Sequence, residues 1–454
     1  MDNQNKRSVF YVLATIQVTL IFTISLIFVP LPQIALEMGL QQADLLLITA
    51  AYGLPYSGLL LFGGRLTDKY DSKKVFIIGS SIFALASLLI VFAGNFELLV
   101  GLRFLQGIGG SLIAPASIGI LKKVFTDESQ FNNAMAHWGA FSVLGAALGP
   151  VLGGAVIAFA PWRWLFLIPF AISVIAILFV KHRLEGINLS NVNTDQLGLD
   201  IKGTILATLG ISVSSYALIV VDAYSWGSPQ VIVPLVTGMV FIVAFYFIEK
   251  RVDTPLLPPD YLLDKTRSVG LISIFMAAAA SGLSMFFLTL FLQQVKEWTP
   301  LETAGAYLPF AIVLVVMNKY AMLMVRKWGT LITTLVGLSL STLAFILLTF
   351  IDYDSSFVVD LLPAHTILPV GLSMIFSGSA VLSTANVRPS EIGLAGGVMN
   401  TSMELGPTVG LAVFMSVAAF ENDMVSGYSL AFKTAGVAFA LMSLLLLYKT
   451  FKTK

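Results

Sequence analysis

Long uninterrupted apolar runs restrict what this sequence can fold into. Residues 9–29 and 434–448 contain no charged side chain, and a helix of about 20 apolar residues crosses a hydrocarbon core about 30 Å thick. Lipid offers the backbone no hydrogen bonds, so only helices or closed barrels can span it, and these runs lack the alternation of barrel strands. The sequence therefore predicts an all-α membrane protein.

The composition supports this class. Hydrophobic residues make up 57% of the 454 residues and charged residues only 11%, whereas soluble domains carry about 25% charged residues. The net charge of +1 gives no reason to expect nucleic acid as a partner, and the absence of cysteine excludes thiolate metal sites and cysteine nucleophiles. We expect the lipid bilayer to be the main partner of the chain and predict no metal site.

The apolar runs predict fourteen transmembrane helices. Charged or Pro/Gly-rich breaks place them at residues 8–30, 44–64, 75–94, 98–121, 133–159, 163–181, 203–221, 230–248, 268–292, 302–323, 330–350, 361–384, 392–418 and 430–448. Residues 181–202, the longest polar stretch, are expected to be a linker.

The positions of lysine and arginine orient these helices. Cytoplasmic loops retain positive charge, and with the N-terminus inside, nearly all of the 26 basic residues fall on the cytoplasmic side. The exceptions are Arg103 within a span and Arg163, Lys296 and Lys433 on the outside. One miscounted span would destroy this asymmetry, so we predict cytoplasmic N- and C-termini.

Three segments carry motif-like patterns. Residues 64–74, after the second span, read Gly-Arg-Leu-Thr-Asp-Lys-Tyr-Asp-Ser-Lys-Lys, and residues 103–110 read Arg-Phe-Leu-Gln-Gly-Ile-Gly-Gly. Residues 145–154 read Gly-Ala-Ala-Leu-Gly-Pro-Val-Leu-Gly-Gly, with glycine at every fourth position, so that another helix can approach this face closely. Simpler interpretations are a solvated loop for the first segment and ordinary tight packing for the third.

Together these segments resemble the motifs of the major facilitator superfamily. The first resembles its Gly-x-Leu-x-Asp-Arg-x-Gly-Arg-Lys signature loop, with Asp71 in place of a glycine, which predicts an altered turn. The second resembles its buried-arginine motif and the third its antiporter motif. Residues 162–168 resemble the start of the sixth span in the fourteen-helix drug:proton antiporter branch, and further likeness at residues 249–257, 293–309 and 400–412 extends the resemblance over essentially the whole chain.

The resemblance implies the major-facilitator fold in a 6+2+6 arrangement. Residues 1–183 and 262–454 would form six-helix bundles that rock about a central cavity, and residues 199–252 an inserted two-helix hairpin. It further implies a monomeric, multi-pass protein of a bacterial cell membrane that uses a proton gradient and no cofactor. The residues assigned to conformational change are Arg65, Asp68, Gly145, Gly149, Pro150 and Gly153.

Glu404 is the main candidate for ion coupling. It lies 16 residues after Arg388 and 17 before Glu421, which at about 1.5 Å per residue is near the middle of its span. A charge there is costly, so we expect the carboxyl group to stay protonated until a proton acceptor or a cationic substrate arrives. Asn400, one turn earlier, is expected to hydrogen-bond it and to contact substrate. A structural acid paired with a base from another helix is the alternative.

Four other polar residues inside spans are candidates. Arg103 is assigned a role in proton handling by the resemblance, and bonding to helix carbonyls is the alternative. Tyr52 and Tyr56 share a face of the second span and either line the cavity or pack internally. Members of the branch often carry an acid in the first span, but here Thr23 occupies that position, which implies fewer coupled ions; Gln17 is the strongly polar side chain deeper in the span and a candidate substrate contact.

The leading hypothesis is a proton-driven antiporter that exports hydrophobic and cationic drugs. A narrower exporter of one antibiotic or metabolite, coupled to Na⁺ or K⁺, is the alternative. An intramembrane enzyme is disfavoured because the sequence has no His-Glu-x-x-His motif, no paired membrane aspartates and no nucleophile with a base, and it has no phosphate-binding loop for ATP.

Overall fold

A computed structural model describes residues 3–184, 200–252, 255–385, 387 and 392–452. Most of the linker predicted at residues 181–202 therefore lies outside the described residues. The α-helices are α1 (Asn3–Ser25), α2 (Leu31–Met38), α3 (Gln42–Gly58), α4 (Leu60–Lys69), α5 (Ser72–Ile90), α6 (Phe96–Val124), α7 (Glu128–Ile157), α8 (Leu167–Arg183), α9 (Ile201–Ile219), α10 (Pro229–Glu249), α11 (Lys265–Leu290), α12 (Pro300–Trp328), α13 (Thr330–Leu348), α14 (Leu362–Ser383), α15 (Ile392–Leu405), α16 (Leu411–Ala418) and α17 (Met424–Lys452).

Short irregular helical segments extend several of these helices. Trp162–Phe166, Val220–Asp222 and Pro259–Leu263 are 3₁₀-helical, and Phe291–Val295, Phe357–Leu361 and Gly406–Gly410 are π-helical. The described residues contain no β-strand, so the all-α prediction is confirmed.

Twelve helices of the described residues are long and apolar enough to cross a membrane. Two of the fourteen predicted spans are not among them. The predicted span 133–159 falls on α7, a helix of 30 residues with side chains outside the description, and the predicted span 392–418 falls on the continuous helical stretch formed by α15, the π-helical segment and α16.

The first predicted span is wrong at its outer end. It was expected to reach residue 30, but α1 ends at Ser25 and a separate short helix, α2, begins at Leu31. Pro30 and Pro32 explain the break because proline donates no backbone hydrogen bond and is favoured at the start of a new helix. Gly39 ends α2 in the left-handed conformation, with φ of 65°.

Polar side chains cap several helices where the chain enters them. Asp71 accepts a hydrogen bond from the Lys73 amide at the start of α5, and Asn95 caps α6 in the same way. At the start of α12, Thr299 and Glu302 form a reciprocal capping box. These caps satisfy amide groups that the first helical turn leaves without partners.

The described helices group into two compact units. The first comprises residues 1–40, 47–212 and 241–256, and the second comprises residues 41–46, 213–240 and 257–454. In the first unit, α1, α3, α5 and α6 enclose a core that contains Leu13, Tyr52, Phe83 and Ile113. In the second, α11 lies at the centre, and an aromatic cluster of Phe287, Phe345, Tyr428 and Phe432 joins it to α13 and α17.

Candidate functional site

Arg103 is completely buried in the first unit, in the outer half of α6 by the predicted topology. Its Nη1 donates to the Thr23 carbonyl oxygen at 3.2 Å and to Gln106 Oε1 at 3.1 Å, and its Nε donates to the Ile48 carbonyl oxygen at 3.4 Å. The guanidinium also lies 4.9 Å from the centre of the Tyr52 ring, within cation–π range. Groups from three helices, α1, α3 and α6, therefore bind this cation.

The alternative interpretation of Arg103, bonding to helix carbonyls, describes these contacts well. Thr23 occupies the position where the antiporter branch often has an acid, and its carbonyl oxygen now accepts a hydrogen bond from the arginine. The guanidinium forms no ion pair with a carboxylate among the described residues. Its role in proton handling stays a prediction.

Tyr52 and Tyr56 are packed inside the first unit. They are 0% and 1% exposed, their rings stack with centroids 5.5 Å apart, and the Tyr52 hydroxyl donates to the Leu20 carbonyl oxygen at 3.2 Å. Gln17 in α1 is 7% exposed, and its Oε1 has no hydrogen-bond partner in the described part of the chain. Gln17 is one of these three predicted substrate contacts, and its side-chain oxygen is still available as a hydrogen-bond acceptor.

The glycine motif brings α7 close to α1. A β-carbon at Gly145 would lie 2.5 Å from the Val18 carbonyl oxygen, and Gly149 faces the Ser25 side chain. Ser25 Oγ donates to the Gly145 carbonyl oxygen at 3.4 Å, so the contact includes a hydrogen bond between the two helices. Gly153 faces Leu26, and Pro150 lies buried within α7.

The two acids of the signature loop lie at different places. Asp68 lies in the last turn of α4, and Asp71 caps the start of α5. Asp71 replaces the family glycine at φ of −61°, which any residue adopts, and the altered turn stays a prediction. Arg65 Nη2 donates to the Pro255 carbonyl oxygen at 2.6 Å, which ties α4 to the segment after α10.

Glu404 lies well inside the second unit. It is 6% exposed, 12 residues after the start of α15 and 14 before the end of α16. Its carboxyl group forms no hydrogen bond or ion pair with any residue that the structure describes. The predicted hydrogen bond from half-buried Asn400 is therefore wrong: the two residues lie one turn apart, but the described contacts include no bond between them.

A π-helical segment begins two residues after Glu404. It covers Gly406–Gly410, and the Thr408 hydroxyl donates to the Glu404 carbonyl oxygen at 3.3 Å. Pro407 cannot donate a backbone hydrogen bond, and Gly406 packs against Phe275 and Ala278 of α11, where a β-carbon would not fit. π-helical segments of this kind occur frequently at functional sites.

Three polar side chains that are not among the predicted site residues form a cluster in the first unit. Arg163 Nη1 donates to Glu37 Oε1 at 2.6 Å, Trp162 Nε1 donates to Glu37 Oε2 at 2.8 Å, and Arg163 Nη2 donates to the Ala93 carbonyl oxygen at 2.9 Å. Partial burial opposes ionisation, but these hydrogen bonds and the arginine charge outweigh it and lower the pKa of the Glu37 carboxyl group. The sequence analysis missed this cluster because Glu37 is far from Arg163 along the chain.

The model of the major facilitator superfamily matches residues 12–411, most of the chain. This chain belongs to the major facilitator superfamily. It is accordingly a transporter and not an enzyme, and a multi-pass protein of the cell membrane.

Curated relatives align over nearly the whole chain. The puromycin resistance protein of Streptomyces alboniger is 29% identical over 92% of this chain and 85% of its own length. The cephamycin export protein of Amycolatopsis lactamdurans is 28% identical over 94% and 88%, and the multidrug resistance protein Stp of Mycobacterium tuberculosis is 25% identical over 86% and 72%. Resistance or export is thus the common theme of these names.

Solved structures agree on the fold. The human organic anion transporter MFSD10 superposes with a TM-score of 0.64 at 16% identity, covering 98% of this chain and 100% of that one. A structure from a study of proton-dependent oligopeptide transporters gives 0.66 at 16% identity, covering 97% and 98%. At this identity the likeness concerns the fold alone.

Proposed function

We propose that this chain is a secondary active exporter that exchanges protons for hydrophobic and cationic drugs by alternating access. Three relatives named for resistance or export, each aligned over at least 86% of the chain, support the direction of transport. The observation that carries the mechanism is the carboxyl group of Glu404, which is buried in the middle of its helical stretch and bonds to none of the described residues.

Glu404 suits the coupling role because burial costs its ionised form much more free energy than its protonated form. A neutral carboxyl group fits an apolar site, whereas a carboxylate without a partner is expensive there. A positively charged drug next to Glu404 would compensate the charge and favour loss of the proton. Proton and cationic drug would thus compete for the same group, which is the requirement for exchange.

The fourteen-span arrangement is part of the same proposal. The bundles would cover residues 1–183 and 262–454 with the hairpin at 199–252, both termini in the cytoplasm, and the chain acting as a monomer. The continuous helical stretch Ile392–Ala418 and the 30-residue helix α7 support two spans in addition to the twelve described ones. Arg103 would assist proton handling, and Arg65, Asp68 and the glycine helix α7 the conformational change.

Reconstituted transport tests the proposal. In proteoliposomes with an imposed pH gradient, the wild-type protein should drive uphill movement of a fluorescent lipophilic cation, and an uncoupler should abolish it. Glu404→Gln keeps the size and polarity of the side chain but removes the titratable group, so uphill transport should fall at least tenfold.

The matched control is Glu421→Gln, an exposed acid beyond the end of α16. It should transport at the wild-type rate. Full proton-driven exchange in Glu404→Gln would contradict the coupling role of this residue. Loss of exchange in both variants would mean that the effect comes from the loss of a negative charge in general.

A narrower exporter is the second candidate because several relatives are named for one compound. Puromycin, cephamycin and methylenomycin A each appear in a separate relative's name. Expression in a drug-sensitive bacterium and growth on a panel of unrelated toxic compounds separate the two functions. Resistance to many lipophilic cations supports the multidrug exporter. Resistance to a single antibiotic, persisting with Na⁺ or K⁺ as the driving ion, supports the exporter of narrow specificity.

A further inference from the structure

Gln106 lies between two other buried polar side chains in the first unit. It is 0% exposed and one helical turn after Arg103 in α6. Its Oε1 accepts from Arg103 Nη1 at 3.1 Å, and its Nε2 donates to Ser87 Oγ of α5 at 2.7 Å. Both ends of the amide group are therefore occupied.

Arg103 and Ser87 together determine the direction of this amide. The Ser87 hydroxyl has one hydrogen, which it donates to the Phe83 carbonyl oxygen at 2.6 Å, so toward Gln106 its oxygen can only accept. The Gln106 nitrogen must then point to Ser87, and the amide oxygen must point to Arg103. Reversing the amide would place two donors against each other at Arg103 and two acceptors at Ser87.

The guanidinium depends on Gln106 for its side-chain hydrogen bonding. Its other acceptors, the carbonyl oxygens of Thr23 and Ile48, are at longer distances of 3.2 and 3.4 Å. Its Nη2 has no partner among the residues that the structure describes. Without Gln106, none of the three guanidinium nitrogens would have a side-chain acceptor among the described residues, and only the two longer bonds to backbone carbonyl oxygens would remain.

We propose that Gln106 is a positioning residue for Arg103 and that Ser87 holds the other end of the Gln106 amide in place. The pair keeps the guanidinium against the carbonyl oxygen of Thr23, the position where the antiporter branch often carries an acid. The neutral amide of Gln106 binds the Arg103 guanidinium, as a carboxylate would, but it does not neutralise the positive charge. This inference rests on the proposed role of Arg103 in proton handling.

The pH profile of proton-driven exchange in proteoliposomes tests the positioning role. Arg103→Lys should displace the profile, and Gln106→Met, which keeps volume but has no amide, should displace it in the same direction by at least half as much. Ser87→Ala should give a smaller displacement, because the Gln106 nitrogen loses its acceptor while the amide oxygen still faces Arg103. Gln106→Glu retains an oxygen toward Arg103 and should restore a rate within threefold of wild type.

Ser117→Ala is the matched control for Ser87→Ala. Ser117 is equally buried and bonds only within α6, to the Ile113 carbonyl oxygen at 2.8 Å, so its loss should leave the profile unchanged. A displaced profile in Arg103→Lys with wild-type profiles in Gln106→Met and Ser87→Ala would overturn the positioning role alone. A wild-type profile in Arg103→Lys would instead refute the proton-handling role. If Gln106→Met does not fold, Ser87→Ala and Gln106→Glu decide the same question.

Discussion

The two units treat their buried charges in opposite ways. In the first unit, Arg103 is held by two backbone carbonyl oxygens, an amide and an aromatic ring. In the second, Glu404 is also buried, but its carboxyl group forms no hydrogen bond or ion pair with the described residues. One charge is fixed by its surroundings, and the other has none of these constraints.

This difference suits the two residues to different tasks: Arg103 to a fixed position, and Glu404 to exchange. A buried cation with several partners is costly to disturb, because each partner left behind loses its hydrogen bond. A carboxyl group without partners can gain or lose a proton, or accept a cationic ligand, without first breaking bonds inside the protein. The contrast supports the proposal that Glu404 carries out the exchange and that the network around Arg103 positions the guanidinium.

The largest expected effect on stability is at Arg103. Arg103→Ala leaves the carbonyl oxygens of Thr23 and Ile48 and the amide of Gln106 without their donor, at a cost of about 3 kcal/mol in the free energy of unfolding. Glu404→Ala breaks no described bond and removes a buried acid, so it should cost much less. Thermal unfolding of the purified proteins in detergent measures both; equal losses would contradict the comparison.

A smaller effect is expected where α7 supports α1. Gly145→Ala places a methyl group against the Val18 carbonyl oxygen, only 2.5 Å away, and the shift of α1 should cost about 2 kcal/mol. Because α1 carries Thr23, the same variant should also weaken the hold on Arg103.

Gly101→Ala in α6 is the control for this substitution, because a β-carbon there meets nothing within 4 Å. It should be neutral or slightly stabilising, since alanine favours helix over glycine. If Gly145→Ala were as stable as Gly101→Ala, the close approach of α1 and α7 would not contribute to the framework of the first unit.

The smallest effect is expected at Glu37, which contrasts with Glu404 as an acid that has partners. Its side chain is 46% exposed, so the ion pair with Arg163 contributes at most about 1 kcal/mol. Because folding lowers the pKa of Glu37, this contribution is complete above the ordinary glutamate range and is lost as the pH falls through the lower, folded value.

Unfolding midpoints of wild type and Glu37→Gln between pH 3 and pH 7 test this sign. The wild type should be slightly more stable at pH 7, and the two midpoints should converge below about pH 4. A difference that grew as the pH fell would mean that the carboxylate is not stabilised by its partners.

Periodicity and charge predicted most of the helices but not the contacts of their polar groups. Apolar runs located the spans well because membrane helices must be long and apolar. The outer end of the first span was wrong because Pro30 and Pro32 lie within an apolar run. Gln106 had a local signal, since residues three apart share a helix face.

The partners of the buried charges depend on contacts that are distant in sequence. Nothing near Ser87 indicates that it orients Gln106, and the carbonyl oxygen of Thr23 is independent of its side chain. The predicted bond between Asn400 and Glu404 failed for the opposite reason: a shared helix face permits contact but does not require it.

Proton release on drug binding tests the central claim most directly. Purified protein in weakly buffered detergent solution, titrated with a lipophilic cation, should release a proton as Glu404 exchanges it for the drug. Glu404→Gln should bind more weakly and release none, whereas Glu421→Gln should behave as wild type. Release of the same amount from Glu404→Gln would contradict the account, because the proton would then come from another group.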